Sequence, residues 1–220
     1  MQNTDLTMEK VWKDLSNSQE GECFVIGNGT SLKDETNEFL RSFPSFGTNR
    51  IYLKLLPTYY VCINQEVASQ WKDDIAKLDC VKFVTDRVEI PGAIPLHSSY
   101  MMAFSREPYK YVCEGNTVTY VALQLAFYMG FTTVYLIGVD HRYKFKGSPH
   151  DLLTADGADP NHFDQSYFSN GAKWNAPDLE GSEKAYSIAK RVYESDHRKI
   201  INLTPNTALD VFEKRIHLWE

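Results

Sequence analysis

Two histidines stand where proton transfer is chemically plausible. His141 lies in Gly138-Val139-Asp140-His141-Arg142-Tyr143, directly after the apolar run Thr133-Val134-Tyr135-Leu136-Ile137. His162 lies in Asn161-His162-Phe163, inside a long polar stretch. A neutral imidazole suits removal of a proton from a hydroxyl near neutral pH. His97, His150, His197 and His217 have no such context. The N–H groups of a helix start suit support of a negatively charged oxygen. Asp140 ends an apolar run and is equally a metal ligand or the cap of its own turn. Asp151, Asp156, Asp159 and Asp164 read as solvated loop acids.

A second group of residues could hold an anion. The run Cys23-Phe24-Val25-Ile26 stops abruptly at Gly27-Asn28-Gly29-Thr30-Ser31-Leu32, and a helix is expected from near Lys33 or Asp34. Gly27 and Gly29 permit positive φ and close approach to the backbone, and a helix start favours phosphate. The spacing matches neither a Walker A loop nor a full Gly-x-Gly-x-x-Gly, because Leu32 stands at the third glycine. An ordinary βα turn explains the local sequence as well. Gly115-Asn116-Thr117-Val118-Thr119 forms another small, hydroxyl-bearing helix start, where Thr117 and Thr119 could meet a ligand. Three successive strands each end near an asparagine: Asn28, Asn49 and Asn64. Ligands of open α/β sheets bind outside the carboxyl ends of strands. Asparagines there can bond a base, ribose or phosphate without adding charge.

These residues need a scaffold, and the chain supplies an alternation of strands and helices. Residues 1–21 are expected to form an N-terminal helical extension. Residues 22–220 form a single Rossmann-like α/β domain. Its sheet is open and mostly parallel, with helices on both faces. Short strands are expected at 23–26, 45–53, 59–63, 81–84, 133–137 and 199–203. Helices are expected at 34–43, 67–78, 117–129 and 178–194, and after Thr204-Pro205-Asn206-Thr207 through Lys214. Val118, Val121, Ala122, Leu125 and Met129 form the clearest apolar stripe, with Gly130 as its C-cap. Residues 86–115 read as irregular. Residues 144–176 are long and polar but carry Phe163, Tyr167, Phe168 and Trp174, which suits a folded, lid-like loop.

Composition narrows the class. The net charge of −6 argues against a nucleic-acid surface. No apolar run reaches the ~18 residues of a membrane span. The N-terminus does not resemble a secretory signal, so a cytoplasmic location is the default expectation. Cys23, Cys62, Cys80 and Cys113 lack metal-ligand spacing and read as free thiols; no protein-bound metal is expected.

Four segments together resemble a known superfamily: Gly27-Asn28-Gly29-Thr30-Ser31-Leu32, Phe46-Gly47-Thr48-Asn49-Arg50-Ile51-Tyr52, Tyr135-Leu136-Ile137-Gly138-Val139-Asp140 and Asn202-Leu203-Thr204-Pro205-Asn206. It joins archaeal 6-hydroxymethylpterin diphosphokinase-like proteins with bacterial sialyltransferases of the Campylobacter type. The resemblance implies a transferase with a Rossmann-like nucleotide site. The most direct expectation is a glycosyltransferase of surface glycan synthesis that uses a nucleotide-sugar donor, a CMP-sugar above others, and a glycan or small-molecule acceptor. Two alternatives stand beside it: an ATP-dependent diphosphokinase, which alone would need Mg²⁺, and a non-catalytic nucleotide-binding module. By position, Asn28, Asn49 and Asn64 resemble the asparagines that hold the nucleotide. Thr117–Thr119 resembles a phosphate or ribose contact, and Tyr143 a tyrosine that steadies the leaving phosphate. Gly27, Gly29, Thr30, Ser31, Gly138 and Asp140 complete the implied nucleotide site. Thr30 replaces a usual proline. The catalytic histidine of the sialyltransferases is missing from Lys173-Trp174-Asn175-Ala176-Pro177, so either His162 or His141 supplies the base or the chemistry differs.

Overall fold

The computed structural model describes residues 2–169 and 171–218, so Asn170 of the lid lies outside the described residues. In chain order the strands are β1 (Glu22–Ile26), β2 (Ser45–Thr48), β3 (Tyr59–Cys62), β4 (Val81–Thr85), β5 (Ala93–Leu96), β6 (Ser98–Ser99), β7 (Val112–Cys113), β8 (Thr133–Ile137), β9 (Leu152–Thr154), β10 (Lys173–Asn175), β11 (Lys199–Asn202) and β12 (Glu213–Lys214). The helices are α1 (Gln2–Leu15), α2 (Asn37–Leu40), α3 (Gln65–Gln70), α4 (Lys72–Ala76), α5 (Val118–Met129) and α6 (Leu179–Ser195). Eight strands form one open sheet in the order β12-β11-β8-β1-β2-β3-β4-β5. All of its pairings are parallel.

The period-2 geometry of β1 explains its unbroken apolar sequence. Cys23 and Val25 point into one core, with Trp12 of α1, α5 and α6. Phe24 and Ile26 point into the other, with Leu32, Leu40, Val67 and the lid aromatics. A strand covered on both faces has no solvent side on which to place polar residues. The strand order reverses at β1. From there β2 to β5 run one way and β8, β11 and β12 the other. That reversal lies between β1 and β8, and the carboxyl edge there is where open α/β sheets bind their ligands.

The strand expected at 45–53 ends at Thr48, the helix expected at 67–78 divides into α3 and α4, and β6 and β7 lie in the stretch read as irregular; other segments differ further. The helix expected at 34–43 is replaced by a 3-10 turn at Thr30–Lys33 and the single turn of α2, capped by the Thr36 side chain on the Phe39 N–H. Residues 93–96, read as irregular, form the edge strand β5, which tolerates Pro95 because an edge position needs no second ladder partner. The final helix is absent. Thr207 donates its hydroxyl to the Val139 carbonyl, and the Ala208 N–H donates to the Asp140 carbonyl. These bonds draw the chain back to the sheet, where β12 pairs with β11. Leu209 and Phe212 are buried by the return. No helix among the described residues is long and apolar enough to cross a membrane. Cys23, Cys62 and Cys113 are buried free thiols and Cys80 is partly buried.

Candidate active site at the sheet switch point

The loops after β1 and β8 are packed directly on each other. The Gly27 N–H donates to Ile137 and the Gly29 N–H donates to Gly138, each at 2.8 Å. A Cβ on Gly27 would lie 2.5 Å from the Gly138 carbonyl oxygen, and one on Gly29 would lie 2.4 Å from the Asp140 carboxylate. Gly29 has φ −64°, so its conformation is open to any residue. The glycines are needed for this contact between loops and not for a left-handed turn. Gly138 does have positive φ, at 69°.

Asp140 accounts for Thr30 and Ser31. Its carboxylate accepts from the Thr30 hydroxyl at 2.8 Å and the Ser31 N–H at 3.1 Å, and also from the Ser31 hydroxyl. The expected phosphate cradle at the first helix start is therefore filled by a side chain of the protein itself. Asp140 acts as an internal cap, and Thr30 and Ser31 are its partners. Neither Thr30 nor Ser31 lines the inner cavity.

That inner cavity measures about 90 Å³. Gly27, Asn28, Gly29, Asn49, Thr117, Thr119, Gly138, Asp140, His141, Tyr143 and His162 all line it. Beside it lies a groove of about 750 Å³, whose lining shares Asn49, Thr117, Tyr143 and His162 with it. Asn64 borders only the groove. Its side chain caps α3 by accepting from the Val67 N–H, and its amide donates to the Asn175 oxygen at 3.2 Å. Its first role is thus to start a helix and meet the lid.

Asn28 and Asn49 are different. Asn28, 9 % exposed, donates its amide to the Thr48 carbonyl at 2.9 Å and to the Thr48 hydroxyl at 3.0 Å. The Thr48 hydroxyl in turn donates to the Ile26 carbonyl. The orientation of the Asn28 amide is thereby set, and its Oδ1 is left buried with no partner among the described residues. The Oδ1 of Asn49 is also buried and has none among them. Buried acceptors without donors cost stability unless something else satisfies them. Across the cavity, α5 begins at Thr117 with no side-chain cap. The open first turn carries partial positive charge. By contrast, α6 is capped by Asp178 on the Gly181 N–H.

The two histidines are used differently. His141, held at φ 55°, places Nε2 3.0 Å from Glu183 of α6. His162 places Nδ1 2.8 Å from the Asp159 carboxylate and stacks on Tyr167 at a centroid distance of 4.0 Å. Asp159, expected to be solvated, is buried. It also accepts from the Asn161 and Phe168 N–H groups. Burial works against its charge, but His162 and those two N–H groups outweigh it and hold the carboxyl below its ordinary value. The signal in the sequence is the Asp-x-x-His spacing, which is too common to stand out. Tyr143 is 39 % exposed along its residue surface. Enclosure of its hydroxyl nonetheless pushes it well above the ordinary tyrosine value, helped by nearby Tyr186, Asp140 and Asp159. It is therefore a hydrogen-bond donor at neutral pH.

The lid at 144–176 is folded down. β9 and β10 form an antiparallel ladder, and Phe163, Tyr167 and Phe168 are buried. The Phe163 N–H donates to the Asn28 carbonyl at 3.0 Å. Arg50, overlooked in the sequence, is the main anchor. Its guanidinium donates to the Ser166 carbonyl at 3.1 Å and to the Tyr167 carbonyl, its N–H donates to the Tyr167 hydroxyl at 3.0 Å, and it lies 4.3 Å over the Trp71 ring. Among the described residues no group of three or more His, Cys, Asp or Glu side chains is placed to hold a metal ion.

No family model and no curated protein matches this chain. Among solved structures it is similar to the MAf glycosyltransferase from Magnetospirillum magneticum AMB-1, with a TM-score of 0.57 and 14 % identity over 88 % of this chain. The chain spans 33 % of the length of that enzyme. At this identity the likeness establishes the fold: a Rossmann-like α/β domain with an open parallel sheet.

Proposed function

We propose that this chain is a glycosyltransferase that uses a nucleotide-activated sugar, a CMP-sugar in the first instance, and a hydroxyl acceptor. One observation carries the reading. An uncapped helix start, two unpartnered buried asparagine oxygens and a histidine backed by a carboxylate meet in one cavity at the sheet switch point. The α5 start suits a phosphate. The Asn28 and Asn49 oxygens suit donors, such as ribose hydroxyls or a base amine. The inner cavity accommodates only part of such a donor, and the groove beside it takes the rest along with the acceptor.

In the proposed reaction the acceptor oxygen attacks the anomeric carbon and its proton passes to His162 Nε2. The bond from that carbon to the phosphate oxygen breaks, and the electron pair leaves with the phosphate. The Tyr143 hydroxyl and the α5 N–H groups support the charge that develops there. His141 is the second candidate for the base, because it lines the inner cavity but not the groove that would admit the acceptor, whereas His162 lines both. The diphosphokinase alternative would call on Asp140 as its Mg²⁺ ligand, a carboxylate that here accepts from Thr30 and Ser31. The likeness to a glycosyltransferase supports the scaffold.

The test is release of CMP from CMP-N-acetylneuraminate, with lactose as acceptor. His162→Ala should keep nucleotide affinity and lower turnover by about 10²-fold or more. Normal turnover in that variant removes His162 from the mechanism.

A further inference from the structure

The geometry points to Asp159 as a positioning residue that fixes His162 in the tautomer able to accept a proton. This rests on the proposed role of His162. An ionised carboxylate has no proton to donate, so the 2.8 Å contact requires Nδ1 of His162 to be the donor. In the neutral ring the lone pair is then on Nε2, the nitrogen with no protein partner among the described residues. His162 lines both the inner cavity and the groove, so Nε2 stands where donor and acceptor would meet.

Asp159 is itself held by its surroundings. One oxygen accepts from the Asn161 N–H at 2.7 Å, and the other accepts from both His162 and the Phe168 N–H. Its own N–H donates to the Gln165 carbonyl. The ring cannot swing freely, because Tyr167 stacks on one face and Phe168 meets its edge at 5.2 Å between centroids. Tyr167 is in turn fixed by Arg50. The chain from Arg50 through Tyr167 to His162 and Asp159 makes the folded lid a mount for one imidazole.

The experiment is a long-range ¹⁵N–¹H correlation spectrum of histidine-labelled protein without nucleotide, at a pH well above the ordinary histidine range. His162→Gln identifies the signal. Wild-type His162 should show a protonated Nδ1 and an unprotonated Nε2. A majority of the Nε2–H form in the wild type overturns the proposal. Asp159→Ala should move the population towards Nε2–H, and an unchanged population also overturns it. If Asp159→Ala does not fold, Asp159→Asn provides the second arm. It should keep the donor KM within about twofold and lower kcat by about 10²-fold or more, whereas full kcat counts against the role. The spectrum needs no nucleotide, so it can fail while the nucleotide site stands, and the reverse.

Discussion

Asn28 shows how much one side chain can be committed by its neighbours. Both amide protons are spent on Thr48, so the oxygen is fixed in direction and left without a donor. Asn28→Ala removes that acceptor together with two hydrogen bonds. It should weaken CMP binding by about 10-fold and cost about 1 kcal/mol of stability; calorimetric titration and denaturant unfolding read the two separately. Unchanged affinity would remove Asn28 from the site. Asp159 makes a pH prediction. Its folded-state value is depressed below the ordinary 3.8. Its contribution to stability is therefore present above that value and lost as the pH falls through the lower folded value. Acid unfolding of Asp159→Asn should accordingly show a flatter pH dependence than the wild type below about pH 4. The asparagines and both histidines could be picked out from the sequence by their places at strand ends and in the lid. Asp159 and Arg50 could not, because their roles depend on partners brought together only by the folded lid.

At the scale of elements, the loop after β1 and the lid are one assembly. Gly29 packs on the Asp140 carboxylate, and the loop's outer side receives the lid through the Phe163 N–H. Gly29→Ala would force its new methyl into that carboxylate, so we expect destabilisation of about 1–3 kcal/mol and a matching loss in thermal melting. The same substitution at an ordinary phosphate loop, with open space before the glycine, would be mild. Arg50→Ala should release the lid while leaving the sheet intact. Hydrogen exchange at Phe163, Tyr167 and Phe168 should accelerate, with β1 and β8 still protected. Equal protection in mutant and wild type would show that the lid is held without Arg50. Strand and helix alternation was legible for the sheet because both-face burial leaves continuous apolar runs. The short helix after β1 and the missing final helix were not. There, side-chain caps and long-range bonds to Val139 and Asp140 override the local pattern.

The molecule is built around one eight-stranded parallel sheet whose order reverses once, between β1 and β8. That reversal determines where a ligand can enter, and the residues named above gather there. Topology could be inferred from the sequence only as a class, since strand order depends on how crossovers pack and not on any one strand. It is the order that separates Asn28 and Asn49, which face the inner cavity, from Asn64, which caps α3 beside the groove. The central claim is that this cavity binds a nucleotide. Its most direct test is thermal unfolding of the chain with CMP, UMP, GDP and ATP, each with and without Mg²⁺. At 100 times its dissociation constant a ligand stabilises by about 2.7 kcal/mol. The account predicts stabilisation by CMP without metal, reduced in Asn28→Ala. Stabilisation by ATP only with Mg²⁺ would favour the diphosphokinase reaction, and no shift with any nucleotide would contradict the account.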